Sequence, residues 1–181
     1  MYRAVTWLAL ERHVDLRDTG ALTSLAESAR LAVEPARVLV EGIDATAQLR
    51  SPEVGEAVSL VSRVPGVRHA MVAQQRRLAA GGRVVMAGRD IGTVVLPDAP
   101  VKVYLDASAG ERIRRRHDEL LAAGKEVSLE DVRTELALRD EIDSKRETSP
   151  LRPAEDAVVI HTDDLSLDEV VERILELAKC S

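Results

Sequence analysis

Short apolar runs rich in β-branched residues, set between segments with strong helix-start signals, constrain this chain more than any other feature. Three of them fall from residue 84 onward, at residues 84–87, 101–105 and 157–160. Ser108 with Glu111, Ser128 with Asp131 and Ser166 with Glu169 carry the pattern in which a hydroxyl and a carboxylate satisfy a helix's first free amides reciprocally. Strands alternating with helices predict an α/β fold, a parallel sheet flanked by helices. Sheets of that kind bring ligands to the C-terminal ends of their strands.

The first half reads mainly as helix. Tyr2, Val5, Leu8 and Ala9 recur at helical spacing, and Val54, Val58 and Val61 form a second stripe. Pro65 and Gly66 break that stripe; Val67, Met71 and Leu78 resume it until Gly81-Gly82 stops it. Between them, residues 37–50 predict short strands around Gly42 and Asp44, a hairpin or a small excursion. A length of 181 residues with 45% hydrophobic content suits one compact domain, 1–181. Aromatic residues make up 2% and Phe is absent, so the core is expected to be aliphatic and the stacking platforms of single-strand nucleic-acid binders are missing. A formal net charge of −6 argues against general polyanion binding while leaving room for a local basic pocket. The single Cys180 has no partner for an internal disulfide, which fits a reducing cytoplasm. The opening apolar run is cut by Glu11 and Arg12, unlike a secretory leader, and no stretch is long enough to cross a membrane.

Three places offer chemistry. Gly88-Arg89-Asp90-Ile91-Gly92 follows the first of the apolar runs. There Arg89 could grip an anion while Asp90 orients it, or the two could be an incidental ion pair in a solvated turn. Further on, Val132, Leu136, Arg139, Asp143 and Arg146 share one helical face that is apolar at its start and charged at its end. Such a face either leaves the core for a polar cavity or ends in a surface ion pair. The run ERIRRRH at 111–117 reads equally as an anion clamp or a solvated face. His13, His69, His117 and His161 show no metal-ligand spacing and read as structural or surface residues.

GRDIGTVVLPDAPVKVYLDAS, then RIRRR, then RDEIDSKRETSPL, resembles the bacterial cytidylate kinases in sequence and in order. MYRAVTWLAL, VSLVSRVPGVRHAMVAQQR and AVVIHTDDLSLDEVVERIL extend the resemblance over essentially the whole chain. It implies a nucleoside monophosphate kinase domain with a phosphate-loop kinase-like parallel sheet, a CMP-side excursion at 30–52 and a helical lid at 108–150. It further implies phosphoryl transfer from ATP, with Mg2+, to CMP or dCMP, in a cytoplasmic monomer whose partners are small nucleotides, not nucleic acid or membrane. Under it, Ser59, Arg68 and Asp90 read the cytosine edge, and Arg3 and Arg89 hold the acceptor phosphate. Arg139 and Asp143 lie against the sugar. Arg146, with Arg115 or Arg116 from the lid, neutralises charge on the phosphates, so that Arg89, Arg115 and Arg146 form the catalytic set and no residue is assigned to a protein-held metal.

The sequence departs from that family at one point. No Gly-x-x-x-x-Gly-Lys-Ser/Thr pattern occurs in the chain, so the loop that cradles donor phosphates is not found in it. The first strand of the family's sheet, expected between the runs at 84–87 and 101–105, is missing with it. Met1 is therefore expected to be an internal methionine of a longer reading frame, or the first residue of a shortened chain. Two other readings remain: a catalytically inactive remnant that binds CMP or a partner, and another phosphate-loop kinase of small metabolites, against which Ser59, Arg68 and Asp90 argue.

Overall fold

The computed structural model describes residues 1–144 and 152–179, with the side chains of residues 139 and 142–144 outside the description. The chain divides into two compact units, residues 1–84 and 85–181.

In the first unit, helices α1 (Tyr2–Glu11), α2 (Thr19–Ser28), α3 (Pro52–Val61) and α4 (Pro65–Ala79) surround an aliphatic core. Three of the four starts, those of α2, α3 and α4, have a local cause. The Asp18 side chain accepts from Ala21 N at 2.9 Å, Ser51 Oγ accepts from Val54 N at 3.4 Å, and Pro52 and Pro65 occupy first-turn positions where no amide is needed. Ala4, Val5, Leu8, Leu22, Val54, Val61, Val67 and Met71 meet in the core, with Trp7, the chain's one tryptophan, 9% exposed among them. Gly66 allows α4 to approach α2, because a Cβ there would stand 2.2 Å from Thr23 Oγ1 and 2.8 Å from Thr23 Cβ.

The expected stripe on α4 holds at Val67 and Met71 and changes at its end. Leu78 is 41% exposed, and Gln74 takes the buried place. The Gln74 amide donates to Ala26 O at 3.3 Å and Ala29 O at 3.2 Å, satisfying carbonyls at the end of α2.

The expected hairpin is present. Strands β1 (Leu31–Val33), β2 (Val38–Val40) and β3 (Ile43–Asp44) form an antiparallel sheet in the order β1-β2-β3. Glu41 (φ 53°) and Gly42 (φ 82°) make the two-residue turn, both in the left-handed region that matches strand twist. The Glu41 carboxylate accepts from Arg30 N at 2.8 Å and Arg30 Nη2 at 3.1 Å, clipping the turn to the start of β1. A 3-10 turn (Gln48–Arg50) leads into α3.

The second unit holds strands β4 (Val103–Asp106) and β5 (Val158–His161), paired in parallel from Val103↔Val158 to Asp106↔His161. Helices α5 (Ala109–Ala122), α6 (Leu129–Ser144) and α7 (Leu167–Lys179) accompany them. The fold is α/β with flanking helices, as expected, but its sheets are mixed. Among the described residues the parallel sheet has two strands, and residues 84–87 are not a strand. Val85 is 96% exposed, and a β-run with no ladder neighbour has nothing to satisfy its amides in sheet geometry.

The caps of α6 and α7 match expectation: Ser128 exchanges hydrogen bonds with Asp131, and Ser166 with Glu169. At α5 only half of the box forms. Ser108 Oγ accepts from Glu111 N at 3.2 Å, but Ser108 N donates to the Asp163 carboxylate at 3.0 and 3.1 Å. Glu111 is turned instead toward arginines of its own helix. At the other end of α5, Gly124 adopts φ 75°, with Lys125 N donating to Leu120 O at 3.0 Å and Gly124 N to Leu121 O at 2.9 Å. That paired pattern is the left-handed helix stop for which glycine is favoured.

Candidate functional site

Among the described charged residues, two are buried as whole residues: Arg68 at 4% and Asp90 at 7% exposure. Lys102 has a covered side chain, but its Nζ meets the exposed Asp156 carboxylate at 2.6 and 2.8 Å, an ordinary structural pair. Burying a charge is costly unless it is held by specific partners, so Arg68 and Asp90 mark the places where the fold tolerates that cost.

Arg68 sits in the first turn of α4, just after the break at Pro65. Its Nη1 donates to Ser62 O at 3.2 Å, and its guanidinium carbon lies 5.4 Å from the centroid of the Tyr2 ring. Ser62 Oγ in turn donates to Ser59 O at 3.3 Å. Ser59 and Arg68 are thereby joined through Ser62 at the corner between α3 and α4. Arg3, next to Tyr2 on α1, points elsewhere: its Nη1 donates to Leu49 O at 2.9 Å in the 3-10 turn.

In the second unit, Gly88, Arg89 and Asp90 form a bend with no regular hydrogen-bond ladder. A Cβ at Gly88 would come within 2.9 Å of the Ile91 side chain, which would then have to shift. Asp90 O then accepts from Val94 N at 2.9 Å and Val95 N at 3.2 Å, opening a single wide turn at Ile91–Val95 of the π type. Wide turns of this kind recur at functional positions because they re-aim the residues around them. The result is an Arg89 that stays partly exposed beside an Asp90 that is buried. Thr93, in the same turn, has a buried hydroxyl with no hydrogen-bond partner among the described residues.

Arg115 and Arg116 leave α5 in different directions. Arg115 Nη1 donates to Thr162 Oγ1 at 3.0 Å, Nη2 to Thr162 O at 2.5 Å, and Nε to Glu111 at 2.6 Å. Arg116 donates to Glu119 at 2.9 Å and lies 3.6 Å from Glu135 of α6. Arg112 fastens α5 to α6 through Asp140 at 2.6 Å. Glu111, gripped by Arg114 first and by Arg115 as well, has its carboxyl lowered from the ordinary 4.5 to about 2. On α6, Val132 is 1% exposed and Leu136 partly covered, so the helix begins on an apolar stripe as its spacing predicts. The backbones of Arg139 and Asp143 continue that helical face, while their side chains, and Arg146 altogether, lie outside the described residues.

Sequence reasoning did not single out Tyr2, Ser62, Thr162 or Asp163. The one available signal was for Tyr2, an aromatic ring in a chain with two tyrosines, one tryptophan and no Phe. A cavity of about 700 Å³ in the first unit is lined by Ala29, Leu31, Leu39, Gln74 and Leu78 among others, and none of the expected site residues lines it. Among the described residues no three carboxylate, imidazole or thiol groups gather into a metal cage. None of the helices among them is long and apolar enough to cross a membrane.

Comparison with known proteins covers almost the whole chain. The family model described as "Cytidylate kinase" matches residues 1–180. The "Cytidylate kinase" of Geobacillus kaustophilus (strain HTA426) is 54% identical over 98% of this chain and 81% of that relative. That of Carboxydothermus hydrogenoformans is 48% identical, with 82% of its length covered. A "Bifunctional pantoate ligase/cytidylate kinase" of Synechococcus sp. (strain JA-3-3Ab) is 48% identical over 98% of this chain and 34% of that longer protein.

Proposed function

The chain belongs to the cytidylate kinase family, and from that premise we propose that its residues form the acceptor side of phosphoryl transfer from ATP to CMP or dCMP. The observation that carries the proposal is the burial of Arg68 and Asp90, opposite charges at two of the three positions assigned to the base. A guanidinium only donates hydrogen bonds and a carboxylate only accepts them. Cytosine presents both kinds of edge: its ring nitrogen and carbonyl accept, and its amine donates. Ser59, which does either, completes the set.

Arg3 and Arg89 hold the acceptor phosphate, with Arg139 and Asp143 against the sugar. Arg146, with Arg115 or Arg116 of a lid at 108–150, offsets charge on the transferring group. A nucleotide phosphate is already an anionic nucleophile, so alignment and charge stabilisation matter more than a general base. Mg2+ bound to the phosphates of ATP would offset their charge, and this reading assigns no residue of the chain to hold it. Arg115 Nε, Nη1 and Nη2 each donate to Glu111 or Thr162, contacts that fix where its guanidinium stands when a phosphate arrives.

The 181 residues contain no Gly-x-x-x-x-Gly-Lys-Ser/Thr pattern, and this favours a second reading, in which these residues alone bind CMP and transfer little phosphate. Calorimetry with CMP, UMP and ATP tests both. Asp90→Ala is expected to weaken CMP at least about tenfold while changing UMP much less, since a lost base contact leaves a buried partner unmatched. Equal losses for the two nucleotides would remove the base-reading role. Tight ATP binding with full turnover by these residues would overturn the second reading.

A further inference from the structure

We infer that Thr162 is a positioning residue for Arg115, its hydroxyl and carbonyl together setting the direction in which that guanidinium meets a phosphate; the inference rests on the reading of Arg115 as a lid arginine that offsets phosphate charge. The geometry lies wholly within the second unit. Thr162 follows the last residue of β5 and is 4% exposed. Its backbone amide donates to Asp106 O, at the end of β4, at 2.9 Å, and its hydroxyl donates to the same oxygen at 3.0 Å. The hydroxyl has one proton, so toward Arg115 it can only accept. It accepts from Nη1 at 3.0 Å, while Thr162 O accepts from Nη2 at 2.5 Å and from Leu165 N at 3.3 Å.

One residue thus grips both Nη groups of the planar fork, and it is tied to the strands rather than to the helix that carries the arginine. From α5 itself, Glu111 takes Nε at 2.6 Å. Contacts on all three nitrogens leave the guanidinium no free rotation. An arginine has five N–H groups. Three are engaged here, while the other two, one on each Nη, donate to nothing among the described residues, and the side chain is 43% exposed. Those two donors keep their directions before any ligand arrives, so an anion that meets them spends less on ordering. They stand at the C-terminal end of a parallel strand pair, where folds of this class receive ligands.

Asp163 contributes indirectly. By accepting from Ser108 N at 3.0 and 3.1 Å, it takes the amide that the Glu111 carboxylate would otherwise cap, and leaves Glu111 to Arg114 and Arg115. Consecutive residues after β5 therefore serve one end: Thr162 holds the fork, and Asp163 frees the carboxylate that holds its stem.

Inorganic tripolyphosphate is the probe, its affinity for the folded 181-residue chain read by phosphorus NMR at low ionic strength in a double-mutant cycle. Arg115→Met is expected to weaken binding about tenfold and Thr162→Val, which keeps the shape and loses the hydroxyl, about fivefold, while Thr162→Ser stays within about twofold of the parent. Added to Arg115→Met, Thr162→Val is expected to change the affinity by less than about twofold. A loss there as large as in the parent means that Thr162 acts by supporting the strand ends, and overturns the inference. Unchanged affinity in Thr162→Val beside a lost one in Arg115→Met overturns it too, and leaves the reading of Arg115 standing. Unchanged affinity in Arg115→Met, or no binding by the parent, refutes that reading and the inference with it. A second measurement needs only the parent. In nitrogen-15 NMR the two Nη groups of Arg115 are expected as separate signals, since their exchange requires breaking both bonds to Thr162, and a single averaged signal overturns the inference.

Discussion

Gly66 shows how one missing methyl group fixes the spacing of two helices. In the second position of α4, alanine would ordinarily favour the helix by about 1 kcal/mol. Here a Cβ would meet Thr23 Oγ1 at 2.2 Å, Cγ2 at 2.4 Å and Cβ at 2.8 Å. Rotating Thr23 moves the first two atoms but not the third, so the helices must part. Gly66→Ala is therefore expected to cost a net 1–2 kcal/mol or so in urea unfolding, the overpacking penalty exceeding the propensity gain. A stabilised Gly66→Ala protein would contradict this account of the α2–α4 packing. The sequence showed Gly66 only as part of a helix break. Its partner Thr23 lies 43 positions away, and no local pattern announces so distant a contact. Arg68 and Asp90 were legible as motif residues, but their burial was not. Tyr2 was passed over because at helical spacing it reads as one more member of an apolar stripe.

At the scale of elements, local chemistry was read well where both partners lie within one turn. The caps of α6 and α7 and the Glu41-Gly42 hairpin are of this kind. The start of α5 was half right, because Asp163, across β5, competes for Ser108 N and frees Glu111 for Arg114 and Arg115. Residues 84–87 carry a strand's composition, yet strand formation also requires a neighbour that composition does not encode. The arrangement at α5 has a pH signature. The Glu111 carboxyl titrates near 2 when folded and near its ordinary 4.5 when unfolded. Its contribution is thus complete above about pH 4.5 and is lost as the pH falls from there toward 2. Replacing it by glutamine should lower the urea midpoint near neutral pH, and the gap between Glu111→Gln and the parent should narrow below pH 4.5 or so. A gap that stays constant with pH would show that Glu111 acts by packing alone.

On the scale of the whole molecule, the two units differ in how much apolar surface they close. The first unit's core is sealed, with Val5, Leu22, Val61, Val67 and Met71 all at 0% exposure. In the second, Leu105, Val158, Val159, Leu167, Val171 and Leu175 are between 44% and 78% exposed. Amide hydrogen exchange is expected to be slowest in α1 and α4 and markedly faster in β4, β5 and α7, since protection follows buried apolar contact. Uniform protection across both units would refute that ordering. An α/β character and most helices were legible at this scale; the division into two units was not, because no linker composition marks residue 84.

The position of Trp7 gives the protein a built-in optical label. Its indole is the sole tryptophan chromophore, and it is enclosed in the first unit. Emission excited at the red edge of absorption, where tyrosine contributes little, therefore follows solvent entry into that unit alone. Far-ultraviolet dichroism sums the helices of both. When the two signals are recorded in one denaturant titration, coincident midpoints mean that the units melt as a single cooperative body, and separated midpoints give the stability of each without any attached dye.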